Sequence, residues 1–199
     1  MNTRSVALIA VFAALAIVLN TIRIPTFYWP GFFYTLCDIP VLVAFFLYGF
    51  KIGILVEVLH IVGQEIFFPV GPGGIVVYPM GLITHLLMFS GIYLASKFIS
   101  RKAASKKQFG EKKKTIYFTG LATALRGGLM PIIDYLVLYS ILLPLALGIT
   151  IPATYILALV PSFFLYNVTS TLYAVPIAYL IARKTSNYLK IHAKFLIPT

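Results

Sequence analysis

Ionisable side chains interrupt the apolar stretches of this 199-residue chain. Four of its five acidic residues, one arginine and two histidines lie in or beside those stretches. They are Asp38, Glu57, His60, Glu65, His85, Arg126 and Asp134. Carboxylates and imidazoles can act as general acids, general bases or metal ligands, and they can also line a binding cavity. Because such groups are costly in lipid, we expect them to face the protein interior, where they pair or meet a ligand.

The spacing of three polar residues places them on one face of a helix. Glu57, His60 and Gln64 are separated by three and four residues, which is the repeat of a helical face. This favours pairing with neighbouring helices, although residues that line a cavity show the same pattern. His85 is expected to be a hydrogen-bonded core histidine. The segment Asp38-Ile39-Pro40 has the pattern of a helix start, which predicts that Asp38 is its N-cap.

Two charged residues share the fifth apolar stretch. Arg126 and Asp134 are eight residues apart, or about 12 Å along a helix, so we expect no direct contact between them. Two glycines and Pro131 between them predict a bend. On the last apolar stretch, Asn167 and residues 169–171 form a polar patch at a similar depth. The pattern fits a binding cavity open to the outside and equally an internal salt-bridge framework.

Composition excludes a soluble globular protein. Hydrophobic residues make up 60% of the chain and charged residues only 11%, against about 25% in soluble domains. We therefore predict one integral membrane domain over residues 1–199. Cys37 is the single cysteine, so an internal disulfide is excluded. Eight of the 16 basic residues lie between Lys97 and Lys114, which indicates membrane topology and contact with lipid headgroups rather than nucleic-acid binding.

The apolar stretches predict an all-α membrane protein with six transmembrane helices. The predicted helices are residues 5–22, 38–49, 52–68, 76–96, 115–143 and a last segment that follows the break 144–152 and ends near 182. The part of that last segment before Pro161 is expected to be irregular or tilted. With both termini in the cytoplasm, 14 of the 16 basic residues lie inside, as the positive-inside rule requires. An aromatic-rich loop (23–37), a Gly/Pro loop (69–74) and the break then form the outer face.

Motifs for several enzymatic activities are missing. The chain has no GxxxxGK[ST] loop for ATP, residues 60–65 do not form an HExxH zinc site, and no nucleophile–base dyad is evident. We therefore predict no enzymatic activity and no cofactor or metal. One alternative is an intramembrane enzyme that uses Glu57, His60, Glu65 or His85 as acid, base or metal ligand. Another is a purely structural membrane partner.

The chain resembles, over its whole length, the substrate-binding S component of energy-coupling factor (ECF) vitamin transporters. The resemblance covers its size, its six predicted helices and the Ala-rich first helix, Val6-Ala-Leu-Ile-Ala10-Val-Phe-Ala-Ala14-Leu15. It implies that Ala10 and Ala14 dock on a transmembrane coupling (T) subunit, which works with two ATPase subunits. It also implies a multi-pass protein of the cell membrane that captures a vitamin from outside.

Within the family, the chain is most similar to the riboflavin type. The similarity lies in Ile24-Pro25, Pro30-Gly31-Phe32, Asp38-Ile39-Pro40, Phe45-Phe46, Gly49 and Gly73-Gly74. Three positions differ from that type: Asp134 precedes Tyr135 where Asn is usual, Ser170 replaces a Lys three residues after Asn167, and Glu57 replaces a basic residue. These differences change the charge of the expected pocket. The alternative ligand is therefore another vitamin or a nucleobase-like precursor.

The resemblance also implies which residues bind the substrate. They are Phe33, Tyr34, Leu36, Gly74, Tyr78, Asp134, Tyr135, Asn167 and Ser170. The aromatic members are expected to form walls for a flat, largely apolar ring. The acidic, amide and hydroxyl side chains are expected to contact its polar edges.

Overall fold

The computed structural model of the chain describes residues 3–26, 33–69, 74–103 and 110–190, together with Ala193 and Phe195. It is an all-helical bundle, which confirms the predicted fold class. The helices are α1 Thr3–Asn20, α2 Asp38–Tyr48, α3 Phe50–Phe67, α4 Gly74–Ala103, α5 Glu111–Ile133, α6 Leu143–Leu147 and α7 Ala153–Leu189. A π-helix, Asp134–Leu142, joins α5 to α6 without a break. A short antiparallel hairpin, β1 Ile24–Pro25 and β2 Phe33–Tyr34, connects α1 to α2.

Four helical stretches in the described part of the chain are long and apolar enough to cross a bilayer. They are Thr3–Asn20, Tyr78–Lys102, Glu111–Leu147 and Ala153–Leu189. Helix α2 has only 11 residues, fewer than the roughly 20 that a full crossing requires. The fold is thus that of a membrane protein, and the count of six crossings stays a prediction.

The ends of several helices differ from the sequence prediction. Helix α4 continues to Ala103 and α5 already begins at Glu111, so much of the basic segment is helical rather than loop. Pro144 lies near the start of α6, inside the continuous helical stretch Glu111–Leu147, and membrane helices tolerate such prolines through local π-type adjustments. The break therefore starts only at Gly148, which has a left-handed φ of 65°. The prediction of an irregular segment before Pro161 is also wrong, because α7 is one continuous helix from Ala153.

An aromatic core surrounds α2. The ring of Phe45 is stacked on Phe89 of α4, with centroids 4.3 Å apart. Phe46 meets Phe118 of α5 and Tyr179 of α7 edge to face, each at 5.6 Å. All five rings are buried. Helix α2 is apolar around its whole circumference because it lies inside the bundle with neighbours on every side.

Glycines allow two pairs of helices to approach closely. A Cβ on Gly91 of α4 would lie 2.5 Å from the Ala122 Cα of α5. A Cβ on Gly63 of α3 would collide with the Ile17 side chain of α1. Small residues at such crossings are typical of membrane bundles, where packing rather than hydrophobicity joins the helices. These crossings fix the positions of α3, α4 and α5, which carry the charged residues.

Candidate functional site

Arg126 of α5 is the centre of a buried polar network. Its Nη1 donates to Asp38 Oδ2 of α2 at 2.8 Å, and its Nε donates to Asn167 Oδ1 of α7 at 3.0 Å. The same Nη1 lies 3.2 Å from the Met88 sulfur of α4. Arg126 is only 3% exposed. One guanidinium therefore joins four helices. The sequence left open whether Arg126 lines a binding cavity or belongs to an internal salt-bridge framework, and these contacts place it in a salt-bridge framework.

The prediction that Asp38 caps α2 is wrong. Cys37 holds the cap position without a side-chain cap bond, and Asp38 is already the first helical residue. Its carboxylate points into the bundle instead, where Oδ2 contacts Arg126 and Oδ1 lies 3.3 Å from His85 Nε2. A buried guanidinium is a stronger partner for a carboxylate than a backbone N–H, because both members of the pair then carry a full charge.

The network continues from His85 into α3. His85 Nδ1 lies 3.0 Å from Glu57 Oε1 and 3.1 Å from the Gly81 carbonyl oxygen. Glu57 Oε2 in turn lies 3.1 Å from His60 Nδ1. This confirms that His85 is a paired core histidine and that Glu57 and His60 pair within the bundle. Hereafter, the residues Glu57, His60, His85, Asp38, Arg126 and Asn167 are called the ionic chain.

Glu65 does not belong to the ionic chain. It is exposed, whereas Glu57, His60 and Gln64 on the same helix are buried. Within the described residues, no group of three or more His, Cys, Asp or Glu side chains is arranged to hold a metal ion.

Three tyrosines fix the hairpin to α7. The Tyr34 hydroxyl is hydrogen-bonded to Thr169 Oγ1 at 2.6 Å, and its ring is stacked on Tyr166 with centroids 5.7 Å apart. Tyr173 meets the Tyr34 ring edge to face at 5.9 Å. We call Tyr34, Tyr166 and Tyr173 the tyrosine cluster. It provides the aromatic surface next to Asn167 and Ser170 of α7.

Backbone contacts strengthen the same junction. The Tyr166 hydroxyl donates to the Phe33 carbonyl oxygen at 3.2 Å, and the Tyr173 hydroxyl donates to the Thr35 carbonyl oxygen at 2.6 Å. Sequence reasoning missed Tyr166 and Tyr173. The available signal was their spacing, because residues 166, 170 and 173 lie on one face of a helix.

Asp134 begins the π-helix that follows α5. It is 9% exposed, and its side chain has no hydrogen-bond or ion-pair partner in the part of the chain that the structure describes. As expected from their separation, Asp134 does not contact Arg126 directly. A π-helix widens the turn and redirects its side chains, and such segments often occur at functional sites. Tyr139 of this π-helix is stacked on Phe163 of α7 at 5.6 Å.

Asn167 is already engaged on both sides of its amide. Its Oδ1 accepts from Arg126, and its Nδ2 donates to the Phe163 carbonyl oxygen at 2.9 Å. An amide nitrogen carries two N–H donors, so one donor is left for another partner. Ser170, three residues later, is 1% exposed on the same face.

The other predicted substrate residues lie on three elements. Phe33 is at the exposed edge of the hairpin and Leu36 is half-buried before α2. Gly74 and Tyr78 lie in the first turns of α4, and Tyr135 is the second residue of the π-helix. The loop residues 27–32 and 70–73, which the sequence predicts at the outer face, lie outside the described residues.

Helix α1 has one buried and one exposed side. Ile9, Ala13 and Ala16 are buried against the bundle. Ala10 and Ala14 are exposed on the opposite side. The small residues that pack inside the chain are therefore different from the pair that the resemblance assigns to a partner.

Residues 4–197 match the model of the family described as "ECF transporter, substrate-specific component". The chain belongs to this family. A solved structure, described as "Structure and mechanism of the S component of a bacterial ECF transporter", matches 96% of this chain and 99% of its own, with a TM-score of 0.66 and 23% identity. At that identity the likeness shows the fold alone. No curated protein sequence matches the chain.

Membership of this family indicates that the ionic chain and the tyrosine cluster belong to a subunit that captures a substrate. ECF S components are membrane subunits that capture a substrate for a transporter, and they work with a T component and ATPases. They are not enzymes. The family therefore favours a role in transport over the alternative of an intramembrane enzyme built on Glu57, His60 and His85.

Proposed function

We propose that this S component captures a water-soluble vitamin from the outside of the cell, with riboflavin as the first candidate. It lies in the cell membrane with both termini in the cytoplasm. The observation that carries the proposal is the tyrosine cluster beside Asn167 and Ser170 on α7, the helix on which the π-helix also packs through Tyr139 and Phe163. An isoalloxazine ring is flat and apolar with hydrogen-bonding edges, which suits an aromatic surface next to a few polar side chains.

The residues implied by the resemblance divide into two roles in this proposal. One group of residues forms the walls around the ring or lets the backbone come close to it: Phe33, Tyr34, Leu36, Gly74, Tyr78 and Tyr135. Contacts to polar edges or ribityl hydroxyls are assigned to Asp134, Asn167 and Ser170. The bonds that Asn167 already makes limit its role, because only its second N–H is free to donate to a ligand oxygen or nitrogen.

The other members of the ionic chain position Asn167, the one member that is assigned to the ligand. Arg126 Nε donates to Asn167 Oδ1, Arg126 Nη1 is held by Asp38 Oδ2, and His85 lies against the other Asp38 oxygen. The orientation of the Asn167 amide is thus set by residues on α2, α4 and α5. A site whose side chains are already held in place loses less entropy on binding.

Binding of riboflavin tests the proposal directly. We expect saturable quenching of flavin fluorescence by the purified protein, with one flavin per chain. Tyr34→Leu removes one stacking surface and should raise Kd by about 2- to 12-fold, the value of an aromatic contact. The control is Tyr188→Leu, which should leave the Kd unchanged, because Tyr188 is 87% exposed and lies outside the proposed pocket. Equal affinities for wild type and Tyr34→Leu would move the pocket away from the tyrosine cluster.

Asp134 favours a second candidate ligand on the same scaffold. A carboxylate that is 9% exposed and has no partner among the described side chains is suited to a cationic or N–H-rich ligand, such as a different vitamin or a nucleobase-like precursor. In that case Asp134→Asn weakens binding of such a ligand. An unchanged affinity would remove Asp134 from the pocket.

Transport by this S component needs partners, because the chain has no ATP-binding loop of its own. We assign docking of the T component, which carries two ATPase subunits, to the exposed side of α1 at Ala10 and Ala14. Ala10→Trp should abolish co-purification with the T and ATPase subunits while vitamin binding is retained. Leu180→Trp, at a position 50% exposed on α7, is the control for bulk alone. Co-purification of Ala10→Trp at the wild-type level would place docking elsewhere.

A further inference from the structure

An open apolar groove lies at the end of the bundle opposite the tyrosine cluster. It has a volume of about 520 Å³ and is lined by Phe50, Ser90, Tyr93, Leu94 and Phe195. Small-molecule cavities commonly have volumes in this range. None of the lining residues belongs to the ionic chain or to the tyrosine cluster.

Phe195, beyond the end of α7, forms one wall of this groove. Lys190, with a left-handed φ of 51°, ends α7 and redirects the chain. The Phe195 N–H then donates to the Phe46 carbonyl oxygen at 3.3 Å. The Phe195 ring is stacked on Phe45 with centroids 4.7 Å apart. The wall is therefore anchored to the aromatic core rather than lying loosely on the surface.

Three residues that line the groove are exposed on the surface of the bundle, and two of them belong to a candidate membrane span. Phe50, Tyr93 and Leu94 are 39%, 48% and 47% exposed, respectively. Tyr93 and Leu94 lie within the membrane-crossing part of α4, Tyr78–Lys102. An occupant of this groove is consequently in contact with acyl chains, which favours an apolar chain over a water-soluble ligand.

Basic residues lie within one or two helical turns of the lining residues on α3 and α4. Lys97 lies one helical turn beyond Tyr93 on the same face of α4, and Arg101 lies one turn further. Lys51 follows Phe50 at the start of α3. All three cations are exposed, and none has an ion-pair partner in the described ranges. Their charge is available to an anion at the membrane surface.

We propose that the groove binds an anionic phospholipid of the leaflet at this basic end, which the sequence predicts to be cytoplasmic. One acyl chain lies along Tyr93, Leu94 and Phe195, and the phosphate group is held by Lys51 and Lys97. Clusters of Lys and Arg beside membrane helices bind anionic headgroups in this way. A zwitterionic lipid offers the same chain but no net charge, so it binds more weakly.

Native mass spectrometry of the full chain in detergent tests the headgroup contact. Phosphatidylglycerol and phosphatidylcholine with identical acyl chains are titrated separately. We expect one phosphatidylglycerol to be retained with clear preference over phosphatidylcholine. The double variant Lys51→Ala/Lys97→Ala should weaken that binding by roughly 30-fold. Lys112→Ala/Lys113→Ala is the matched control, because it removes two exposed cations from α5 instead.

A second pair of variants tests the apolar part of the groove. Leu94→Trp fills it and should displace both lipids, whereas Leu180→Trp places the same bulk on α7 and should leave lipid binding intact. Equal retention of the two lipids, or equal losses in the test and control variants, overturns the proposal. Loss of co-purifying transporter subunits in Leu94→Trp, with phosphatidylglycerol binding unchanged, would instead show the groove to be a protein interface.

Discussion

Replacement of Arg126 by methionine tests the ionic chain most severely. Arg126→Met keeps a long apolar side chain but removes the 2.8 Å contact with Asp38 and the 3.0 Å hydrogen bond to Asn167. The Asp38 side chain is only 10% exposed, so its carboxylate stays buried without its strongest partner. Removing one member of a buried ion pair costs about 3–5 kcal/mol. We expect that loss in the free energy of unfolding.

The assay is SDS-induced unfolding in mixed micelles, followed by far-UV circular dichroism. Arg183→Met is the matched control, because Arg183 pairs with Glu111 at 3.4 Å but is 43% exposed. An exposed pair of this kind contributes about 0–1 kcal/mol. Asp38→Asn combined with Arg126→Met removes the orphaned charge and should be less destabilised than Arg126→Met alone. A loss for Arg126→Met no larger than for Arg183→Met would refute the reasoning.

Two further predictions concern helix packing and the hairpin. Gly91→Ala places a methyl group 2.5 Å from the Ala122 Cα and should destabilise the protein by about 1–3 kcal/mol, measured by the same SDS titration. Gly120→Ala, where a Cβ meets nothing within 4 Å, should be neutral or stabilising, and equal losses in the two variants would contradict the packing argument. Tyr34→Phe removes the hydroxyl bonded to Thr169 at 2.6 Å and should cost about 1 kcal/mol of stability. Because Tyr34 is assigned to a wall of the pocket, the variant should also release bound ligand faster in a stopped-flow chase, and an unchanged rate would show that this hydrogen bond does not help to hold the wall.

The helices could be predicted because composition alone requires them. Long apolar stretches must satisfy their backbone hydrogen bonds internally in lipid, and only helices do so within a single segment. The residues at which the helices begin and end were harder to predict. Pro161 and Pro144 look like helix breakers, yet Pro161 lies inside α7 and Pro144 in the first turn of α6. Prolines are tolerated in membrane helices because neighbouring groups satisfy the freed carbonyls.

The pairing of the charged residues could not be predicted in the same way. Asp38 and Arg126 are separated by 88 positions, and no local spacing relates them. Within one helix, the i, i+3 pair Glu57 and His60 follows from the sequence. The contacts that join helices depend on the crossing geometry, for which a single sequence holds no information. For the same reason Asp38 was expected to be a cap rather than an ion-pair partner.

The candidate site also contains residues that the sequence could predict and residues that only the fold brings together. Asn167, Ser170 and Thr171 of the predicted polar patch are buried on α7, whereas Tyr166 and Tyr173 resemble ordinary aromatic residues of a membrane helix. Only the folded hairpin, which brings Tyr34 to α7, makes them a cluster. The hairpin strands are two residues long, too short to show an alternating pattern. The π-helix at Asp134 likewise has no composition that distinguishes it from α-helix.

The central claim is that this S component captures a water-soluble vitamin. The most direct measurement is mass spectrometry, with an absorbance spectrum, of the small molecules released when gently purified protein is denatured, followed by titration of the emptied protein with candidate vitamins. The account predicts one stoichiometric heterocyclic molecule, first of all riboflavin, that rebinds at one site per chain. A protein that releases no small molecule and binds none of the vitamins saturably would contradict it.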